Sequence, residues 1–339
     1  MESFVHLRKG TTPRRLHADL NGLKDDELGR DGFTGRTANL FRRHDPTAYR
    51  AVGPLRPLDV LADHLATGDS PVLLFSNSDC RISLGRRSEA SPYYLRHIDG
   101  DLLCFVHQGQ GRLETEFGPL DYRTGDWIYL PKACTWRQVP APGGQERSDS
   151  GIVSASVWLM IEADQFRAPP AGPLGRHWPF DPGLVVIPEA QALDDDGRDE
   201  YEVRLIHDGG PTSLFYQHNP LDVEGWRGDN FAFTFNIDDY NVVTSDSVHL
   251  PPTVHLLMQA TGVYVCNFLP KPAEKVPGTE RTPWYHRNVD FDEIAFFHGG
   301  SLYGIPMPPG LISHAPQGVH HGAPEKARSR TTTTTPLRT

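Results

Sequence analysis

Cysteine is scarce in this chain. Cys80, Cys104, Cys134 and Cys266 stand far apart, and no Cys-x-x-Cys pair occurs. That spacing argues against a zinc knuckle. Cys104 and Cys266 fall within apolar strand patterns and read as buried thiols. Long hydrophobic runs are missing too, so no stretch reaches the length of a membrane span. The N-terminal Met1-Glu2-Ser3-Phe4-Val5-His6 lacks the apolar core of a signal peptide. Together these absences point to a cytoplasmic, reduced protein with no membrane partner. Basic excess is also missing. Lys plus Arg number 33 against 43 Asp plus Glu, a formal charge of −10, and no basic stripe stands out. Nucleic acid is therefore set aside as a partner.

Hydrophobic residues make up 38% of the 339 positions and charged residues 22%, enough apolar material for one large domain or two medium ones. Gly (32) and Pro (30) together outnumber Lys plus Arg (33), and long amphipathic runs are few. Dense turn chemistry of this kind predicts many short strands.

Residues 1–60 are polar and irregular and read as an arm, ended by Gly53-Pro54-Leu55-Arg56-Pro57. Leu58–Ala66 reads as one short helix. Strand signals begin at Val72-Leu73-Leu74-Phe75 and are clearest over 93–139. There Leu102-Leu103-Cys104-Phe105-Val106 runs into Gly109-Gln110-Gly111, and Arg112–Phe117 alternates polar and apolar. Gly125-Asp126, an apolar strand and Pro131 follow. This order predicts a cupin, a small jelly-roll barrel. Val203–His207 and Ser213–Tyr216 read as a hairpin around Asp208-Gly209-Gly210-Pro211. Strand patterns recur over 245–325, so the expected fold is all-β with two cupin barrels, a bicupin. Its divisions are an arm at 1–60, a first cupin at 61–170, a connector with strands at 171–245, a second cupin at 246–326 and a low-complexity, disordered tail at 327–339.

The second repeat carries the chemistry. His286 and Glu293 lie seven residues apart with a turn at Asn288-Val289-Asp290 between them, and His314, His320 and His321 follow. Two histidines and one carboxylate hold non-haem Fe(II) in oxygenases because a three-ligand face leaves the opposite face exchangeable. An N,O donor set suits Fe(II), Mn(II), Ni(II) or Zn(II), and composition alone does not choose. Asp292 is the competing carboxylate. In the first repeat His107 is the sole histidine between Asp99 and Pro140, so that barrel is read as structural.

Motifs along most of the length resemble the homogentisate dioxygenase family, particularly its shorter bacterial branch. They include Gly32-Phe33-Thr34-Gly35-Arg36-Thr37-Ala38, Arg43-His44-Asp45-Pro46-Thr47-Ala48-Tyr49, Glu116-Phe117-Gly118-Pro119-Leu120, Asn219-Pro220-Leu221-Asp222-Val223, Pro251-Pro252-Thr253-Val254-His255 and the segments around His286 and His321. The resemblance spans about residues 30–325 and implies a bicupin, one Fe(II) in the later barrel, extradiol-type ring opening by O2 and a homo-oligomer. By motif, His286 matches the first ligand, Glu293 the carboxylate and His321 the ligand followed by Gly. His314 resembles a histidine lining the family's site, with its spacing one residue off, so His314, His320 and His321 compete for that role. The resemblance also implies a small aromatic substrate. Tyr285 and His314 are expected to hydrogen-bond bound oxygen, and Arg287, Arg227 and Trp226 to contact the substrate.

One departure stands out. Where family members carry Trp-His-Gly, this chain has Trp226-Arg227-Gly228. Arginine stays charged and is a poor general base, but it clamps a carboxylate well. The expected activity is ring cleavage of homogentisate or a related hydroxylated aromatic acid. The alternatives are a cupin isomerase or other oxygenase on the same metal site, and a cupin that binds a small aromatic without turnover.

Overall fold

Alternating apolar and polar residues, interrupted every few positions by Gly or Pro, favour short paired strands over helices. In the computed structural model the described residues are 7–323, except 19, 21, 31–34, 66–69, 142–145, 149–150, 154, 171–180, 209, 281–283 and 303. The tail at 327–339 lies outside them. Among the described residues the only helices are short 3-10 turns, and none is long and apolar enough to cross a membrane. The fold is the all-β bicupin expected, divided into two compact units.

One unit comprises Leu65–Asn241 and Leu256–Asn267. It holds two six-stranded sheets, and the chain passes repeatedly between them. Strand Asp101–Gln108 lies in the first sheet, Gly111–Thr115 and Gly118–Tyr122 in the second. Asp126–Leu130 returns to the first, Trp136–Pro140 to the second and Ser156–Ala163 to the first. That exchange is the winding of a jelly roll. Leu102, Cys104 and Val106, spaced by two along one strand, face inward with Trp158 and Met160. They meet Leu113, Leu120, Tyr122 and Trp136 from the other sheet. Tyr122 stands edge-on to Trp158 at 4.9 Å, and its hydroxyl is satisfied by Ser156 and Gln138. Burying an aromatic side chain such as Trp158 removes roughly 150–250 Å² from water, about 4–6 kcal/mol of transfer free energy. All four cysteines are unbridged; Cys104 is buried as expected, whereas Cys266 is half-buried.

The hairpin read around 208–211 is present, with Val203 opposite Leu214. Its strands, assigned to a connector from sequence, extend the second sheet, and Phe233–Asn236 extends the first. The connector is thus part of this unit.

The other unit joins the two ends of the chain: Met1–His64, Val242–His255 and Phe268–Thr339. Residues read as an arm supply three of its strands. Lys24–Gly29 pairs antiparallel with Thr37–Arg42 and parallel with Tyr285–Asn288. Leu58–Leu61 pairs with Leu311–Ala315, which also pairs with Glu293–Phe297. The short helix expected over 58–66 is corrected here. Four of its residues form a strand because an edge of the Leu311–Ala315 strand is open to them, and only Ala62–His64 makes a 3-10 turn.

Candidate metal centre

The side chains of His286, Glu293 and His321 meet. Their ligand atoms lie within 4.8 Å of one another. His286 Nε2 is 3.1 Å and His321 Nε2 3.2 Å from the same atom, Glu293 Oε2. The two imidazole rings stand 4.0 Å apart at 65°.

Backbone pairing brings these residues together across the chain. His286 sits on strand Tyr285–Asn288, whose parallel neighbour Lys24–Gly29 places Glu27 opposite it. On its other side His286 exchanges both backbone hydrogen bonds with His321, at 2.9 and 3.0 Å. Glu293 returns to the group through the turn after Asn288. That turn is pinned by Val289 N–H to Gly29 O at 3.0 Å and by Arg30, which donates two bonds to Asp290. Gly318 N–H donates to Asn288 O at 2.6 Å, closing the segment that carries His321.

The donors are prepared for a cation. His321 Nδ1 lies 3.1 Å from the Val319 carbonyl. A carbonyl only accepts, so Nδ1 carries the hydrogen and Nε2 is aimed at the group. Close packing opposes charge on Glu293, but the hydrogen bonds from His286 and His321 outweigh it and hold the carboxyl well below its usual range. For His321, burial disfavours the charged form, yet the bond to Glu293 outweighs it and raises its proton affinity. Two imidazole nitrogens converging on one carboxylate oxygen form a candidate site for a divalent cation. Two imidazole nitrogens and a carboxylate oxygen are the donor types that first-row divalent metals take. Asn288 Nδ2 approaches the same Glu293 oxygen at 3.4 Å.

Other expected residues go elsewhere. Asp292 accepts from Gln317 N–H at 2.8 Å and lies 3.5 Å from His314. His314 pairs across the sheet with Ile294, so alternation turns it to the face opposite Glu293. His320 turns to Asp26, 3.1 Å away. Burial holds His320 below its usual range despite Asp26, with Arg287 and Arg42 acting in the same direction as burial. Tyr285 is fully buried, and its hydroxyl donates to Asp45 at 3.0 Å. Tyr285 and His314, expected to reach bound oxygen, meet Asp45 and Asp292 respectively. Arg287 follows His286 in an extended strand, so its side chain leaves the opposite face. Trp226 and Arg227 belong to the jelly-roll unit. Trp226 packs at 5.7 Å on Phe117, and Arg227 is exposed.

An acidic strand went unread in the sequence. Asp25, Asp26 and Glu27 are all buried. Asp25 accepts from Asn39 and meets His17, whose ring stacks on Trp284 at 3.7 Å. Asp26 accepts from Arg42. Burial pushes the Glu27 carboxyl up to about 7, with Asp25 adding to the rise and His17 and Trp284 opposing it. A run of three acids resembles a solvated loop, so only tertiary pairing reveals it.

Residues 86–237 match the family model described as homogentisate 1,2-dioxygenase N-terminal, a match lying within the jelly-roll unit. A protein of Saccharolobus solfataricus described as a "Putative dioxygenase" is 23% identical over 333 residues, covering 88% of this chain and 81% of its own length. A cupin of Methanocaldococcus jannaschii with a double-stranded β-helix fold is 14% identical, covering 33% of this chain and 94% of that one, with a TM-score of 0.26. A hydroquinone 1,2-dioxygenase from Sphingomonas, with 4-hydroxybenzoate bound, is 13% identical over 30% of this chain and 70% of its own, with a TM-score of 0.24.

Proposed function

We propose, for a chain that belongs to a homogentisate dioxygenase-like family, an iron(II)-dependent dioxygenase that cleaves the ring of homogentisate or a related hydroxylated aromatic acid. The observation that carries the proposal is the convergence of His286 Nε2 and His321 Nε2 on Glu293 Oε2. Three protein donors on one side leave the other side open to two further ligands, which ring cleavage by O2 requires. Iron(II), held by His286, Glu293 and His321, would supply Lewis-acid and redox chemistry for ring cleavage by O2.

The chain's own residues hold that arrangement. The Val319 carbonyl fixes the hydrogen of His321 on Nδ1, leaving Nε2 for the metal. Glu293 stays ionised across the physiological range, so it offers a charged oxygen without first losing a proton. Asn288 limits rotation of that carboxylate. The paired backbones of His286 and His321 keep the two imidazoles together before any metal arrives, which lowers the ordering cost of binding.

The test is anaerobic loading with Fe(II), followed by homogentisate and air. The expected result is oxygen uptake with a new near-ultraviolet product band. Uptake with other hydroquinones but not homogentisate would move the substrate while keeping the reaction. His286→Ala should lose iron, since two donors remain; near-full iron occupancy in that variant would contradict the ligand assignment.

A further inference from the structure

We infer that His320 and Asp26 form a positioning couple for the metal centre, in which a buried carboxylate near the start of the chain sets where the neighbouring His321 imidazole stands. The inference rests on the metal centre proposed above and extends it to residues that touch neither metal nor substrate.

Asp26 is completely buried in strand Lys24–Gly29. A single oxygen, Oδ2, accepts from Arg42 Nε and faces His320 Nε2 at 3.1 Å. A carboxylate oxygen accepts, so the His320 hydrogen that reaches Asp26 is the one on Nε2. The His320 carbonyl is fixed independently, by the Tyr49 hydroxyl at 2.9 Å. One residue further on, His321 pairs through both its N–H and its C=O with His286. The dipeptide is therefore clamped at each residue, from different directions.

The peptide link gives that clamp its consequence. Consecutive Cα atoms are a fixed 3.8 Å apart, so a bond that holds His320 also restrains His321. His320 reaches Asp26, and His321 reaches Glu293. Releasing His320 lets the pair rotate about the segment axis, which moves His321 Nε2 relative to Glu293. Strand Lys24–Gly29 also pairs in parallel register with Tyr285–Asn288, Asp26 lying opposite Tyr285 and Glu27 opposite His286. The same short strand thus aligns one ligand through its backbone and the other through the Asp26 side chain.

Substituting Asp26 would leave Arg42 facing an empty site and risks loss of the fold. His320 is the better probe because its side chain remains 20% exposed. The experiment compares full-length wild type, His320→Ala and His320→Gln, each loaded with Co(II) alone. Its readouts are affinity by competition titration, the visible d–d spectrum and the melting temperature. His320→Ala should bind Co(II) at least about tenfold more weakly, the scale seen when partners of metal ligands are lost, and with an altered spectrum. His320→Gln, whose amide can donate to Asp26, should recover most of both. Wild-type affinity and spectrum in His320→Ala overturn the inference, even if its melting temperature falls. Failure of the wild type to bind Co(II) overturns the metal centre itself, and the couple with it.

Discussion

Positions 320 and 321 carry the same side chain, and the backbone sends the two copies to different partners. His321 joins Glu293 and His286, while His320 joins Asp26. Sequence spacing brought out the histidines of this region but not their directions. An irregular segment has no period from which to read them. Glu293 and Asp292 were likewise adjacent competitors, separated by alternation at the start of strand Glu293–Phe297. Glu27 yields a prediction at this scale. Its folded proton affinity, near pH 7, exceeds the ordinary value of 4.5. Between those pH values the unfolded chain releases the proton and the folded chain keeps it, so stability falls as pH rises through the window. The loss is at most about 3 kcal/mol. Glu27→Gln should flatten that decline in urea melts between pH 4.5 and 7.5. Parallel pH profiles for the two proteins would show that the carboxyl is not held protonated.

Strand Tyr285–Asn288 is the element on which the candidate centre depends. It pairs with Lys24–Gly29 on one side and bridges to His321 on the other. The closeness of the bridge is set by Gly322. Its φ is +155°, and a Cβ there would lie 3.0 Å from a ring carbon of Tyr285 and 3.1 Å from its Cα. Gly322→Ala should push the segment carrying His321 off the strand. Metal analysis after gel filtration should then find a substoichiometric ion, whereas full retention would mean the segment adjusts without moving the ligand. Strand Lys24–Gly29 was illegible because its buried positions are acids rather than alternating apolar residues. Their burial is tolerated because Asn39, His17 and Arg42 lie far enough along the chain to supply partners only after folding.

For the whole molecule, the jelly-roll unit was the most legible part. Several of its strands alternate in period two, and Gly or Pro marks many of the turns between them. Gly118 shows how tightly one such corner is packed. Its φ is +119°, and a Cβ would fall 1.9 Å from the Glu189 carbonyl oxygen. Gly118→Ala should cost roughly 1–3 kcal/mol from overpacking, with strain at positive φ in addition. A thermal melt checks this, and an unchanged midpoint would mean that the 189 segment moves aside freely. The unit built from the two chain ends was the least legible. Two of its pairings, Lys24–Gly29 with Tyr285–Asn288 and Leu58–Leu61 with Leu311–Ala315, join strands more than two hundred residues apart, and local pattern carries no information about such pairing.

By itself the sequence determined that this is a β protein, with short strands, a jelly-roll winding in its middle and candidate metal ligands near its end. Those properties follow from local composition and period, which adjacent residues impose on one another. Only the tertiary structure decided that residues 7–64 share a unit with 268–323, which histidine of the 320–321 pair meets Glu293, and that three consecutive acids lie buried in the strand paired with Tyr285–Asn288. Each of these depends on pairing between distant segments, and the direction of a side chain is settled only when its strand has found its neighbour.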